Sequence, residues 1–126
     1  MNCLVDTNIF LEILLRQSAG DKCKRFLQAS NELFISDFSL HSIGVRLFRE
    51  NAAPVFEAFV ADSLPNLEII SLNEAGYGQV IAARRNFNLD FDDAYQFSIA
   101  KENDLAIATQ DKDFDRVKSE ITIISP

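Results

Sequence analysis

Three aspartates in this chain of 126 residues, Asp6, Asp93 and Asp111, stand where their carboxylates can be gathered into one place. Asp6 follows directly on the apolar run Cys3-Leu4-Val5. Asp111 comes three residues after the run Leu105-Ala106-Ile107-Ala108, and Asp93 opens a helix-length segment over 92–103. Converging carboxylates repel one another, by about 1–4 kcal/mol for a pair near 4 Å at surface-like dielectric. A hard divalent cation removes that penalty. Magnesium takes only one or two carboxylates directly and keeps several waters, so three acids suffice in number. Such an ion lowers the pKa of a coordinated water and stabilises charge on a phosphate in transit, and two ions about 3.5–4 Å apart would serve both the attacking and the leaving oxygen.

Each acid also has a plainer use. An aspartate between a strand and a helix is a good N-cap, worth about 1 kcal/mol. Asp90 and Asp93 have the spacing of a reciprocal capping pair, and Asp92 suits the helix dipole. Asp111, Asp113 and Asp115 fall in a polar loop and helix start, where solvated acids are ordinary. Singly, none of them specifies a site; their common placement does.

The placement follows from the order of elements. Apolar runs of strand length lie at 3–5, 33–35, 67–70, 105–108 and 121–124. Between them, Ile9, Phe10, Ile13 and Leu14 recur at helical spacing, and helices are predicted at 21–29, 53–61, 74–86 and 92–103, with a short one at 113–118. A further helix carries Leu40, Ile43, Leu47 and Phe48, with Ser36 and Asp37 as cap candidates. Pro54 suits a first turn, whereas Gly76 and Gly78 weaken the start of the helix at 74. Strands alternating with helices predict an α/β fold, a three-layer α/β/α sandwich around a mostly parallel five-stranded sheet. One domain accommodates residues 1–126. In such sheets sites form just beyond the carboxyl ends of the strands, which is where the acids fall.

Composition narrows the classes. With 48% hydrophobic and 25% charged residues the chain is expected to be globular. Its net charge of −7 argues against broad electrostatic capture of nucleic acid, so any such chemistry must use local basic residues and bound cations. Arg16, Arg46, Arg49, Arg84, Arg85, Lys112 and Arg116 are the candidates for steering a substrate, while Phe87, Phe91 and Phe97 read as core. No apolar run approaches the roughly 18 residues needed to span a bilayer. No basic segment precedes the first apolar run and an acid interrupts it, so a signal peptide is not expected. Cys3 and Cys23 form neither a metal-binding pair nor a disulfide framework, and the cytoplasm is the simplest compartment.

Taken together, three segments resemble the PIN-domain nucleases. Leu4-Val5-Asp6-Thr7-Asn8-Ile9 is similar to the opening of that family, Asp92-Asp93-Ala94 to its central acid-Ala motif, and Ala108-Thr109-Gln110-Asp111-Lys112-Asp113-Phe114 to its closing Thr-x-Asp-x-Asp-Phe motif. They occur in the family's order and span nearly the whole chain. The resemblance implies a ribonuclease using Mg2+ or Mn2+, with Asp6, Asp93 and Asp111 as catalytic metal-binding acids and Asp113 as a further acidic position. Thr7, Asn8 and Thr109 are implied as groups that orient the acids. Stand-alone PIN proteins of this length resemble VapC-type toxins, which implies an RNA substrate, an antitoxin protein, a homodimer and no membrane association. The chain departs from the family at Ser42, which stands where many members carry glutamate. Ser42 could hold a metal-bound water; Asp37 and Glu50 are possible substitutes on other helical faces, and His41 is adjacent. That departure leaves open a degenerate PIN module that binds RNA or protein without cutting. A phosphatase or phospho-acceptor receiver fits poorly, because Asn8 occupies the place of the second aspartate a phosphatase would need, and a receiver's early acid pair and late lysine are missing.

Overall fold

A computed structural model of the chain describes residues 2–29 and 32–126. Five strands, β1 (Asn2–Val5), β2 (Glu32–Ser36), β3 (Glu68–Ile70), β4 (Ala106–Ala108) and β5 (Ile123–Ile124), form one sheet in the order β3-β2-β1-β4-β5. Every neighbouring pair is parallel. Helices α1 (Thr7–Leu14), α2 (Gly20–Ala29), α3 (Asp37–Arg49), α4 (Ala53–Asp62), α5 (Tyr77–Phe87) and α6 (Phe91–Glu102) connect and cover it.

Parallel strands covered on both faces read as continuous apolar runs, and β1 is the plainest case. Leu4 and Val5 are both fully buried, yet they belong to different cores. Leu4 packs with Leu72, Val80, Leu89, Phe97, Ile99 and Phe114, beneath α5 and α6. Val5 packs with Ile9, Phe10, Ile35, Ile43, Leu47 and Phe59, beneath α1, α3 and α4. Because successive side chains on a strand point to opposite faces, one dipeptide anchors both outer layers.

Some boundaries differ from expectation. The segment at 74 begins with a 3-10 turn over Glu74–Gly76 and becomes α-helical only at Tyr77. Gly76 lies so close to Leu72 that a Cβ there would meet Leu72 Cδ1 at 2.7 Å. The segment after β4 is likewise a 3-10 helix, Lys112–Val117. α5 ends on Asn88 in the left-handed conformation, a residue type that tolerates it. Among the described residues no helix is long and apolar enough to cross a membrane, and Cys3 and Cys23 are buried and unpaired.

The strand order fixes where a site can form. The chain lays β2 and β3 successively on one side of β1, then returns to place β4 on its other side. The crevice beyond the carboxyl ends of β1 and β4 is therefore a topological switch point. Asp6 is the residue after β1, and Thr109 to Asp111 follow β4.

Candidate metal centre

At this switch point Asp93, Asp111 and Asp113 each direct a carboxylate oxygen to one place, the three oxygens lying within 4.8 Å of one another. Asp93 comes from the first turn of α6, and the other two from the turn after β4. Asp111 caps that turn by accepting from Asp113 N at 2.9 Å, which sets the two acids side by side. Arg116 approaches Asp113 at 3.5 Å on an exposed edge and offsets little of the charge. Asp90 stands at the N-cap position of α6, but its side chain makes no capping bond. The expected Asp90–Asp93 capping pair is thus not formed, because Asp93 faces the other acids instead.

Asp6 is placed differently. It is buried, and both of its oxygens are occupied by donors of the protein. Oδ1 accepts from Thr7 N at 2.9 Å and Gln96 Nε2 at 3.3 Å; Oδ2 accepts from Thr109 Oγ1 at 2.8 Å and Asn8 Nδ2 at 3.1 Å. Asp6 is not one of the three acids whose oxygens converge. It ties the ends of β1 and β4 together beneath them. The same Thr109 hydroxyl accepts from Asp111 N at 2.9 Å, and Asn8 Oδ1 accepts from Gln110 N at 3.1 Å. Thr7 Oγ1 donates to Ser39 Oγ at 2.9 Å, extending the network to α3.

Two members of this network escape a sequence reading: Ser39 and Gln96. Gln96 Nε2 donates to Ser39 Oγ at 2.7 Å as well as to Asp6. Gln96 is one turn beyond Asp93, inside a stretch from Asp93 to Ala100 that is buried throughout. A glutamine at that spacing from an acid, among small and apolar residues, was the available signal. Ser42 is half-buried and lines a cavity with Asp37, His41 and Tyr95 rather than joining the Asp6 network. Asp37 accepts from the Tyr95 hydroxyl at 2.8 Å, and Glu50 pairs with Arg46.

The electrostatics follow from the crowding. Burial pushes the Asp93 carboxyl up to about 7, and the charges of Asp111, Asp6, Asp113 and Asp90 push the same way. Burial also raises Asp6, while the bonds from Thr109, Gln96 and Thr7 act to lower it. Three acid oxygens, one on a carboxyl reluctant to ionise alone, form a donor set that fits a hard divalent cation. The pH consequence has a definite sign. Between the ordinary carboxyl range and about pH 7 the folded chain holds an Asp93 proton that the unfolded chain has released, so metal-free stability falls as pH rises across that window. A cation must displace that proton. Mn2+ affinity measured by calorimetry is therefore expected to weaken as pH falls through about 7, with proton release on binding below it. A pH-independent affinity between 5.5 and 8 would show that Asp93 is not a ligand.

Among solved structures the chain resembles a toxin–antitoxin complex from Klebsiella pneumoniae, at 23% identity and TM-score 0.74 over 89% of each chain. It also resembles FitAcB from Neisseria gonorrhoeae, at 16% identity and TM-score 0.73 over 97% of this chain and 96% of that one. VapC20 from Mycobacterium tuberculosis, described as a sarcin-ricin loop cleaving toxin, is 15% identical with TM-score 0.75 over 98% and 99%. At these identities the likeness is one of fold. No curated protein matches the chain. The PIN domain profile matches residues 3–120, a span that holds the three motifs, the parallel sheet up to β4 and all three converging acids; the chain belongs to the PIN domain family.

Proposed function

We propose that this protein is a divalent-cation-dependent ribonuclease and the toxin half of a toxin–antitoxin pair. The observation that carries the reading is the convergence of Asp93, Asp111 and Asp113 at the switch point of the sheet. Mg2+ or Mn2+ bound there would supply a water of lowered pKa and charge to stabilise a phosphodiester in transit. The roles of the protein groups follow from their contacts. Asp93, Asp111 and Asp113 hold the cation. Asp6 contributes negative charge from beneath and, through Thr109, fixes the backbone that presents Asp111. Thr7 and Asn8 fix Asp6 in turn.

Similar folds in toxin–antitoxin complexes support an antitoxin partner, and an arginine from such a partner would suit the acid cluster. A homodimer and a cytoplasmic setting complete the reading; native mass spectrometry of the purified chain reads the former. The second reading is a PIN module that binds without cutting. It is favoured by serine at position 42 and by the net charge of −7. Incubation with a panel of structured RNAs, with Mn2+ or Mg2+ and then with a chelator, separates the two. Cleavage that requires the ion supports the nuclease. Absence of cleavage joined to absence of cation binding by calorimetry would overturn it in favour of the binding module.

A further inference from the structure

Among the described residues α3 sends no carboxylate to the converging acids: its one acid, Asp37, accepts from the Tyr95 hydroxyl instead. What α3 presents to the site is Ser39, fully buried in its first turn. Ser39 Oγ accepts from Gln96 Nε2 at 2.7 Å and from Thr7 Oγ1 at 2.9 Å. Gln96 Nε2 also donates to Asp6 Oδ1 at 3.3 Å, and Thr7 N donates to the same oxygen at 2.9 Å. These bonds close a ring through Asp6, Gln96, Ser39 and Thr7 that joins the end of β1 to α3 and α6. Linked hydrogen bonds of this kind polarise one another and stiffen the groups they hold.

Gln96 is the costly member of the ring. It is 1% exposed, and its Oε1 is buried with no hydrogen-bond partner among the described residues. An acceptor left so carries the full desolvation cost of the group. The amide cannot turn round to relieve it, because Oε1 would then face an oxygen of the Asp6 carboxylate, and neither atom has a hydrogen to give. Asp6 therefore sets the orientation. Loss of the amide would leave neither of its partners alone: Asp6 keeps the Thr7 amide, Asn8 and Thr109, and Ser39 keeps Thr7. Gln96 thus adds little to the stability of the fold. Its register points elsewhere. Gln96 follows Asp93 by three residues, so the two share a face of α6, and helical side chains lean toward the N-terminal turn, here the one that carries Asp93.

We infer that Gln96 is a positioning residue of the cation site: anchored to α3 by Ser39, it fixes the Asp6 carboxylate beneath Asp93, Asp111 and Asp113 and makes the link from α3 that serine at position 42 does not. The inference rests on the reading of those acids as a cation site. Gln96 acts through Asp6, whose other oxygen holds Thr109 and, through it, the backbone of Asp111.

Gln96→Leu tests this, since leucine keeps the bulk and removes both the donor and the unpartnered acceptor. In EDTA its melting temperature is expected within about 3 °C of wild type. Mn2+ affinity by calorimetry should nevertheless fall about tenfold or more. Ser39→Ala removes the anchor but leaves the Gln96–Asp6 bond; it should weaken Mn2+ binding about threefold, and it carries the test if Gln96→Leu does not fold. In an Asp6→Ala background the amide has no carboxylate to hold, and Gln96→Leu should then change the affinity by less than about twofold, as for a residue that acts through another. An Mn2+ affinity that neither variant moves overturns the inference. So does a tenfold loss that persists without Asp6, or one accompanied by a fall of about 10 °C in melting temperature, which would make Gln96 a support of the fold. Cleavage by a protein whose Mn2+ affinity is indifferent to Gln96 would sink this inference and spare the nuclease. Affinity that depends on Gln96 in a chain that cuts no RNA would do the reverse.

Discussion

Asp93→Asn is expected to remove metal-dependent RNA cleavage, by a factor on the order of 10³ or more, while raising the melting temperature of the metal-free protein. The two effects have one cause. Asp93 is buried, and its carboxyl is pushed up to about 7 by that burial and by Asp111, Asp6, Asp113 and Asp90. Above that pH the folded protein holds an ionised group in a place that disfavours it, and asparagine keeps the shape while discharging it. A gain of about 2–5 °C is reasonable for relief on the order of 1 kcal/mol in a domain of this size. The same change deletes a charged oxygen from a three-acid site. Charge stabilisation by a bound ion is worth several kcal/mol in the transition state, and each 1.36 kcal/mol is tenfold in rate. Scanning calorimetry in EDTA beside a cleavage assay in Mn2+ gives both readouts. Activity lost together with a lower melting temperature would mean that Asp93 supports the fold rather than crowds a site.

Which parts of this arrangement can be read from the chain depends on how local their cause is. Asp6 and Asp111 are legible because each is tied to the end of an apolar run, and the strand order makes those two ends neighbours. β1 and β4 are legible for the same reason: Leu4-Val5 and Ala106-Ile107-Ala108 are buried on both faces and carry no alternation to confuse the reading. α6 is harder. Its residues from Asp93 to Ala100 are all buried, so the helical periodicity that marks an amphipathic surface helix is absent. With no polar face to contrast against, Gln96 is marked only by its spacing from Asp93, and the fold sets it between Asp6 and Ser39. Phe91 fails in the opposite direction. Apolarity alone assigns it to the core, but it is the first residue of α6, and an outward position there depends on how α3 and α5 converge. Asp90 and Asp93 show a competition that spacing cannot decide: the capping geometry was available, and Asp93 joins the acid cluster instead. Ser42 is legible as a residue of α3, but its place in the cavity with Asp37 and Tyr95 depends on how α3 packs against α6.

Asp6→Ala should act with the opposite sign to Asp93→Asn, lowering stability by about 2–4 kcal/mol even with no metal present. Four donors converge on this carboxylate: the Thr7 amide, the Asn8 and Gln96 side-chain amides and the Thr109 hydroxyl. Alanine removes the acceptor and leaves them at a buried junction, and it also removes the N-cap of α1, itself worth about 1 kcal/mol. Partial relief comes from deleting a carboxyl that burial disfavours, and two of the four bonds are only part-buried, which is why the cost is not the sum of four buried bonds. The loss should appear as a fall of about 10 °C in melting temperature in EDTA. Asp6→Asn, which keeps an acceptor oxygen but brings a donor of its own, should fall between alanine and wild type. The damage should also spread to the cation site, because Thr109 ties Asp6 to the backbone of Asp111. Mn2+ affinity is then expected to drop about 10- to 100-fold, as for other residues that hold a ligand in place. A metal-free protein that melts at the same temperature or higher without Asp6 would show that its carboxylate is one more crowded acid, and that the β1–β4 junction is held by something else.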